Sequence, residues 1–376
     1  MFGRNKNNAP AVVDVNPGEV MAALGTVQEP ELGGDLVTRK MIEDLKVEGG
    51  KVSFTVVLTT PACPLKNQIE SEARAAVMSV PGVREVRVNF TSRVVPKFGG
   101  NHRQILPGVA HTIAVASGKG GVGKSTMSVG LAVALQQSGA RVGLLDADIY
   151  GPNVPIMMGV ETMASQQGER LIPAESHGVK IMSMAFFLTD SSPAVWRGPM
   201  VSKMIQELLT KVDWGELDYL VIDLPPGTGD ASLTLAQTVP LTGAVVVTTP
   251  QDVALSDVVK GVEMFKKLNV PLIGMVENMS YFVCPHCRER TEIFGHGGEL
   301  TAKRLDLPFL GEVPLHPAIR EGGDIGMPLL VSAPDAPQSR AIRRVAEQAA
   351  ARISVLTLKN RPASISNRTF IPLTPR

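Results

Sequence analysis

The sequence predicts an α/β protein in which a small α+β domain precedes a larger unit built on a mostly parallel sheet. Three observations carry this. Five short apolar runs, at 112–117, 141–146, 218–223, 243–249 and 271–276, alternate with longer helical segments. Strands apolar throughout are buried on both faces, as in parallel sheets covered by helices. The first run leads into the glycine-rich stretch Gly118–Thr126 and then a helical pattern. Upstream of residue 96 the pattern changes to one alternating strand with Gly-Gly and Pro-Gly turn signals.

In chain order, residues 1–17 are polar and Pro/Asn-rich and predict a disordered start. The α+β domain covers 18–95. A short helix opens it at 18–24, and Gly49-Gly50 joins strands at 42–48 and 51–59. Val52, Phe54, Val56 and Leu58 alternate with Ser53, Thr55, Val57 and Thr59, which marks a half-buried strand. Ile69, Ala73 and Val77 repeat at helical spacing, Pro81-Gly82 ends that helix, and Val86, Val88 and Phe90 form a third strand. Residues 96–110 have linker composition. The larger unit covers 111–355, and 356–376 is a Pro-bearing stretch expected to be a flexible tail.

Gly118, Gly123, Lys124 and Ser125 satisfy the spacing GxxxxGK[ST], with a strand before and a helix after. The loop Gly118-Lys119-Gly120-Gly121-Val122-Gly123-Lys124-Ser125-Thr126 is therefore expected to bind and hydrolyse ATP. Glycines let backbone N–H groups converge on an anion, and the helix N-terminus adds its dipole. Lys124 supplies a point charge to the outer phosphates, Ser125 is a ligand for Mg²⁺, and Thr126 reaches the inner phosphates.

Asp146 and Asp148 follow the second run, and Asp223 ends the third. Carboxylates at the C-terminal ends of parallel strands face the ligand crevice. Asp223 then suits a carboxylate that holds Mg²⁺ through water, and Pro225–Asp230 a loop that senses the γ-phosphate. The plain alternative for each acid is a strand-end cap.

The three cysteines, Cys63, Cys284 and Cys287, are too few for a disulfide framework. Cys284-Pro285-His286-Cys287 offers two thiolates to one metal, half the usual set of four. A symmetric dimer completes the set, each chain giving two. A bridging [4Fe–4S] cluster and a structural zinc, with or without His286, fit these residues equally. A redox dithiol fits less well, because the CxxC does not open a helix in a thioredoxin-like unit.

The segments GKGGVGKST, DADIYGPNVP, DLPPGTGD, VENMSYFVCPHC and FLGEVPLHPAIREGGDIGMPL resemble the Mrp/ApbC family of iron–sulfur cluster carriers, from about residue 108 to 335. The resemblance implies a P-loop NTPase fold of the deviant Walker A group that includes MinD and ParA. It implies that Lys119 reaches the phosphates of a facing subunit, that Asp148 orients the attacking water, and that Asp146 supports the Mg²⁺ network. It implies that Asn278 reads adenine, a plain loop asparagine being the alternative. It implies a labile cluster held by Cys284 and Cys287 of two chains and passed to apoproteins. Where that family reads FGxGGG, this chain has Phe294-Gly295-His296-Gly297-Gly298, and His296 is read as a loop histidine. The N-terminal Glu29-Pro30-Glu31-Leu32 and Thr60-Pro61-Ala62-Cys63-Pro64 resemble a PaaD-like iron–sulfur assembly domain, with Glu29 where Asp is usual. Cys63, just before a helix, is either an inert thiol or a relay for iron.

Formal net charge is +1, so no global charge draws the chain to nucleic acid or an anionic membrane. The first ten residues have no apolar core of a secretory signal, and no run is long enough to span a bilayer. The expected setting is the cytoplasm. The expected partners are a second copy of the chain, cluster scaffold proteins and apo iron–sulfur proteins, without nucleic acid or membrane.

Overall fold

A computed structural model describes residues 14–96, 105–160, 165–187 and 198–359. Of the start expected to be disordered, residues 1–13 lie outside the described residues, but Val15 is buried and Asn16 caps the helix that begins at Pro17. Most of the linker and most of the tail also lie outside the described residues. The chain divides into two compact units, one holding the residues up to Thr59 and Cys63–Arg93, the other Thr60–Ala62 and the residues from Val94.

In the N-terminal unit the helix Pro17–Leu24 precedes strands β1 (Ile42–Glu48) and β2 (Lys51–Leu58). Gly49 and Gly50 have φ of 53° and 85°, so both turn residues occupy the left-handed region that a tight hairpin needs. The helix Lys66–Met78 carries the chain to β3 (Glu85–Ser92), which pairs parallel with β2 to give the order β1-β2-β3. The alternation in β2 is realised: Val52, Phe54, Val56 and Leu58 are buried, and Ile69, Ala73 and Val77 cover them from the helix. Val57 is buried too.

The C-terminal unit is a doubly covered sheet. Its strands are β4 (Val109–Ser117), β5 (Val142–Asp146), the small hairpin β6 (Ser165–Gln167) and β7 (Arg170–Ile172), and β8 (Ala174–Ser176). Next come β9 (Val179–Ser183), β10 (Leu217–Asp223), β11 (Gly243–Thr248), β12 (Leu272–Val283), β13 (Arg290–Thr291) and β14 (Phe309–Leu315). The order is β13-β12-β11-β4-β10-β5-β9-β8, with β14 beside β12. Only β8 and β13 run antiparallel within it. Helices Lys124–Gln137 and Pro337–Lys359 cover one face, packing Leu131, Leu135, Ile342, Ala349 and Ile353 onto Val115, Leu144 and Val221. On the other face Ile205, Leu208 and Leu235 pack onto Leu145, Leu220 and Ile222.

The structure departs from the sequence reading in several places, and β4 already begins at Val109, inside the expected linker. The strand expected at 271–276 runs on to Val283, because the polar residues Glu277, Asn278 and Ser280 find internal partners. Asn278 therefore sits in a strand rather than after one. The last helix continues to Lys359, since Thr357 is still buried where a tail was expected. Strand β14 and the edge pair β8–β9 have no counterpart among the five runs read as strands.

Candidate functional site

Strands β5, β10 and β9 stop in register: Asp223 pairs with Asp146, and Asp146 with Ser183. Their C-terminal ends sit beside the end of β4, from which the glycine loop leaves. The loop requires its glycines. Gly121 and Gly123 have φ of 79° and 85°. A Cβ on Gly118 would stand 2.5 Å from the carbonyl carbon of Asp257, and one on Gly123 would stand 2.1 Å from Nδ2 of Asn278. The helix Lys124–Gln137 then begins with no side-chain cap, leaving its first N–H groups to an anion.

Lys124 is only 6% exposed and lies on two acids: Nζ is 2.8 Å from Oδ2 of Asp223 and 3.4 Å from Oδ2 of Asp148. The Ser125 hydroxyl donates to Oδ2 of Asp223, and the Ser128 hydroxyl to Oδ1, each at 2.6 Å. Ser128 was missed by the sequence reading. The signal available was its position three residues past Ser125, on the same helix face.

Asp146 is fully buried. It accepts from the backbone N–H of Asp148 and Val154, each at 3.2 Å, and from the Ser183 hydroxyl at 2.9 Å. These bonds fold the chain after β5 so that Asp148 returns to Lys124. Burial, reinforced by the nearby Asp223 charge, pushes the Asp146 carboxyl up to about 7. Burial also raises Asp148, against the opposing pull of Lys124.

An acid raised in the folded state stabilises it while protonated. Its contribution is complete below the ordinary carboxylate value and is lost as pH rises toward 7. Asp146→Asn is therefore expected to gain stability relative to the parent across roughly pH 4–7 and to level off above. Urea unfolding of both proteins along that pH series measures the difference, and a constant gap would contradict the assignment.

Asn278 is 5% exposed, and its Nδ2 donates to the carbonyl of Val122 at 2.9 Å. The amide that the resemblance directs toward adenine thus braces the phosphate loop. Lys119 is half-buried, its carbonyl accepting from the Ser117 hydroxyl at 2.9 Å. Among the described residues no carboxylate lies within ion-pair distance of its amine. The loop after β10 is tied to β4, with the Gly227 N–H donating to the Ser117 carbonyl at 3.0 Å.

Cys284 and Cys287 occupy the tip of a hairpin, in which Phe282 pairs with Thr291 and Val283 with Arg290. The Cys284 N–H donates to the Glu289 carbonyl at 3.0 Å, and the Arg288 N–H to the Cys284 carbonyl at 2.9 Å. Backbone N–H groups of Cys287 and then His286 point at the Cys284 sulfur and hold its thiol below the ordinary range. Cys284 is half-buried and Cys287 exposed. The Arg290 guanidinium lies 3.9 Å from the Tyr281 ring centroid and 2.9 Å from Glu312, bracing the hairpin against the sheet. In the N-terminal unit, Cys63 is half-buried just before the helix Lys66–Met78, against that unit's apolar core. Glu29 is buried, and burial with the Glu29 charge lifts Glu31 to about 7.

A glycine loop leading from the first strand of a parallel sheet into a helix, with buried aspartates at the neighbouring strand ends, defines a P-loop NTPase. The chain belongs to the family described as NUBPL iron-transfer P-loop NTPases, which matches residues 108–350. Residues 18–90 match a second family, described as iron–sulfur cluster assembly protein. A Synechocystis iron-sulfur cluster carrier protein is 49% identical over 90% of this chain and 98% of its own length. The Escherichia coli protein of the same description is 40% identical, over 89% and 91%. A nucleotide-binding protein from Archaeoglobus fulgidus, solved in complex with ADP, is 40% identical over 64% of this chain and 94% of its own, with a TM-score of 0.57. The Pyrococcus furiosus cell division ATPase MinD, 24% identical with a TM-score of 0.51 over 63% of this chain and 97% of its own, shares the fold. The expected family and fold class are thereby established. No helix among the described residues is long and apolar enough to cross a membrane.

Proposed function

We propose that this chain is an ATP-hydrolysing carrier of iron–sulfur clusters that works as a homodimer in the cytoplasm. It holds a [4Fe–4S] cluster between the cysteine pairs of two copies and passes it to apoproteins. The observation that carries this reading is the hairpin tip: two sulfurs on one turn, half-buried and exposed, with the Cys284 thiol held below its ordinary range by backbone N–H groups. Two thiolates are half of what a four-iron cluster takes from protein, so a second copy supplies the rest. The carrier descriptions of relatives that align over most of this chain support the cargo.

The nucleotide half follows from the strand ends. Glycine-loop N–H groups and Lys124 cradle the phosphates. Thr126, next to Ser125, faces the inner phosphates. The oxygen donors Ser125 and Asp223 fit magnesium, which would neutralise charge on the β- and γ-phosphates when bound. Asp148, held by the Asp146-supported turn, orients the water that attacks the γ-phosphoryl group as ADP leaves. Lys119 serves the site of the facing copy, and Asn278 keeps the loop closed beside the base. Binding of Lys124 to phosphate must loosen its hold on Asp148 and Asp223. That exchange is the step by which nucleotide changes the dimer and so couples to the cluster.

The test is anaerobic reconstitution with iron and sulfide. The wild-type chain is expected to take up four irons and four sulfides per dimer with a brown chromophore. Cys284→Ala/Cys287→Ala is expected to lose both. A double variant that still holds a full cluster, or anaerobically purified wild type containing only zinc, would count against the proposal.

A further inference from the structure

Glu277, His296 and Glu312 meet beside the cysteine hairpin and outside the nucleotide site. One ligand atom from each lies within 4.8 Å of the others. We propose that this trio is a binding site for a first-row divalent cation, distinct from the cysteine pair.

Three observations argue for it. The first is charge. Glu277 and Glu312 are register partners across the parallel strands β12 and β14, so their side chains emerge from the same face. Like charges directly opposite repel. Glu277 is fully buried, and among the described residues His296 is the basic group within ion-pair distance of it. Arg290 covers Oε2 of Glu312, leaving Oε1 turned toward His296. Buried carboxylates are paired or coordinate metals.

The second is spacing. Nδ1 of His296 is 3.5 Å from Oε1 of Glu277 and 3.4 Å from Oε1 of Glu312. Both exceed a good N–H···O hydrogen bond. They equal the separation of two ligand atoms that each sit about 2.1 Å from one ion at a tetrahedral angle, which is about 3.4 Å.

The third is preparation. Glu277 is fixed before any ion arrives. The Ser280 hydroxyl donates to its Oε1 at 2.5 Å, and the Gly297 and Gly298 N–H groups donate to Oε2. A Cβ on Gly298 would stand 2.4 Å from that oxygen, so glycine is required there. Hydrogen bonds that orient a ligating carboxylate are what a metal site needs around it. Glu312 is 22% exposed and His296 37%, which leaves an entry path from solvent.

One imidazole and two carboxylates suit zinc, iron(II), manganese or cobalt(II). An ion here would pin the segment after the cysteines, through His296, to the paired strands β12 and β14 that carry Glu277 and Glu312.

The test uses cobalt(II) chloride and the full chain with Cys63→Ala, Cys284→Ala and Cys287→Ala, so that no thiolate competes. One cobalt per chain is expected, with weak d–d absorption and no sulfur-to-cobalt charge-transfer band. Adding His296→Gln or Glu312→Gln is expected to weaken binding by more than the roughly 10–100-fold that loss of a supporting partner costs. His286→Ala is expected to leave binding unchanged. Circular dichroism checks that each variant is folded. Failure of the folded cysteine-free chain to bind cobalt would overturn the site. So would binding that survives His296→Gln, or binding lost with His286→Ala. Because the cysteines are absent, the result is independent of whether they carry a cluster.

Discussion

Lys124→Met is expected to lower ATP turnover by about 10²-fold or more, the scale on which a single preorganised charge at a developing anion acts. The substitution keeps the apolar stem and removes the ammonium. In the nucleotide-free protein that ammonium has a second task. Among the described residues it is the cation in contact with both Asp148 and Asp223, and Asp223 is 1% exposed. Stripping one partner from a buried ion pair costs about 3–5 kcal/mol. Asp223 keeps two hydroxyl donors, so the loss in stability is expected at the lower end of that range. The two tasks separate in a double variant. Lys124→Met/Asp223→Asn is expected to recover most of the lost stability without recovering turnover, because the stranded charge is gone but the phosphate cation is still missing. Steady-state hydrolysis and urea unfolding of the four proteins of that cycle measure both. Wild-type turnover in Lys124→Met would remove Lys124 from the chemistry. Strictly additive stabilities would show that the contact with Asp223 carries little energy.

The site's components were legible where chemistry follows from adjacency in the chain. Gly118 through Thr126, Asp146, Asp148, Asp223, Cys284 and Cys287 each announce themselves by a strand or turn beside them. The structure adds partners remote in sequence, which periodicity does not encode. Ser183 reaches Asp146 across 37 positions, and Asn278 reaches Val122 across 156. Strand β14 was hidden because Gly311 and Pro314 interrupt its apolar run, and it is a strand because β12 offers it an edge. The same pairing turns Glu277 and Glu312, two unremarkable acids in the sequence, into neighbours. His296 was read as a loop histidine, and in the loop it is. What decides its chemistry is that the loop folds back over those two carboxylates.

Lys119→Ala is expected to leave nucleotide binding nearly intact while lowering turnover by about 10³-fold, the lower end of what a cation supplied in trans contributes to phosphoryl transfer. The side chain has no carboxylate partner among the described residues, so its removal leaves no buried charge behind and stability is expected to hold. Asp148→Asn is expected to be similarly slow for a different reason, since its own site lacks the group that orients water. Mixing the two inactive proteins separates action within a chain from action across a dimer. In a mixed pair, the site on the Lys119→Ala chain keeps its own Asp148 and receives Lys119 from the other copy. The opposite site lacks both. Half of randomly exchanged pairs are mixed, and each holds one complete site of two. Activity is therefore expected to return to about a quarter of wild type. Subunit exchange is followed independently by native mass spectrometry with one copy isotope-labelled. Exchange without recovery would place Lys119 in its own site, and the case for a composite dimer site would then rest on the cysteine pair alone.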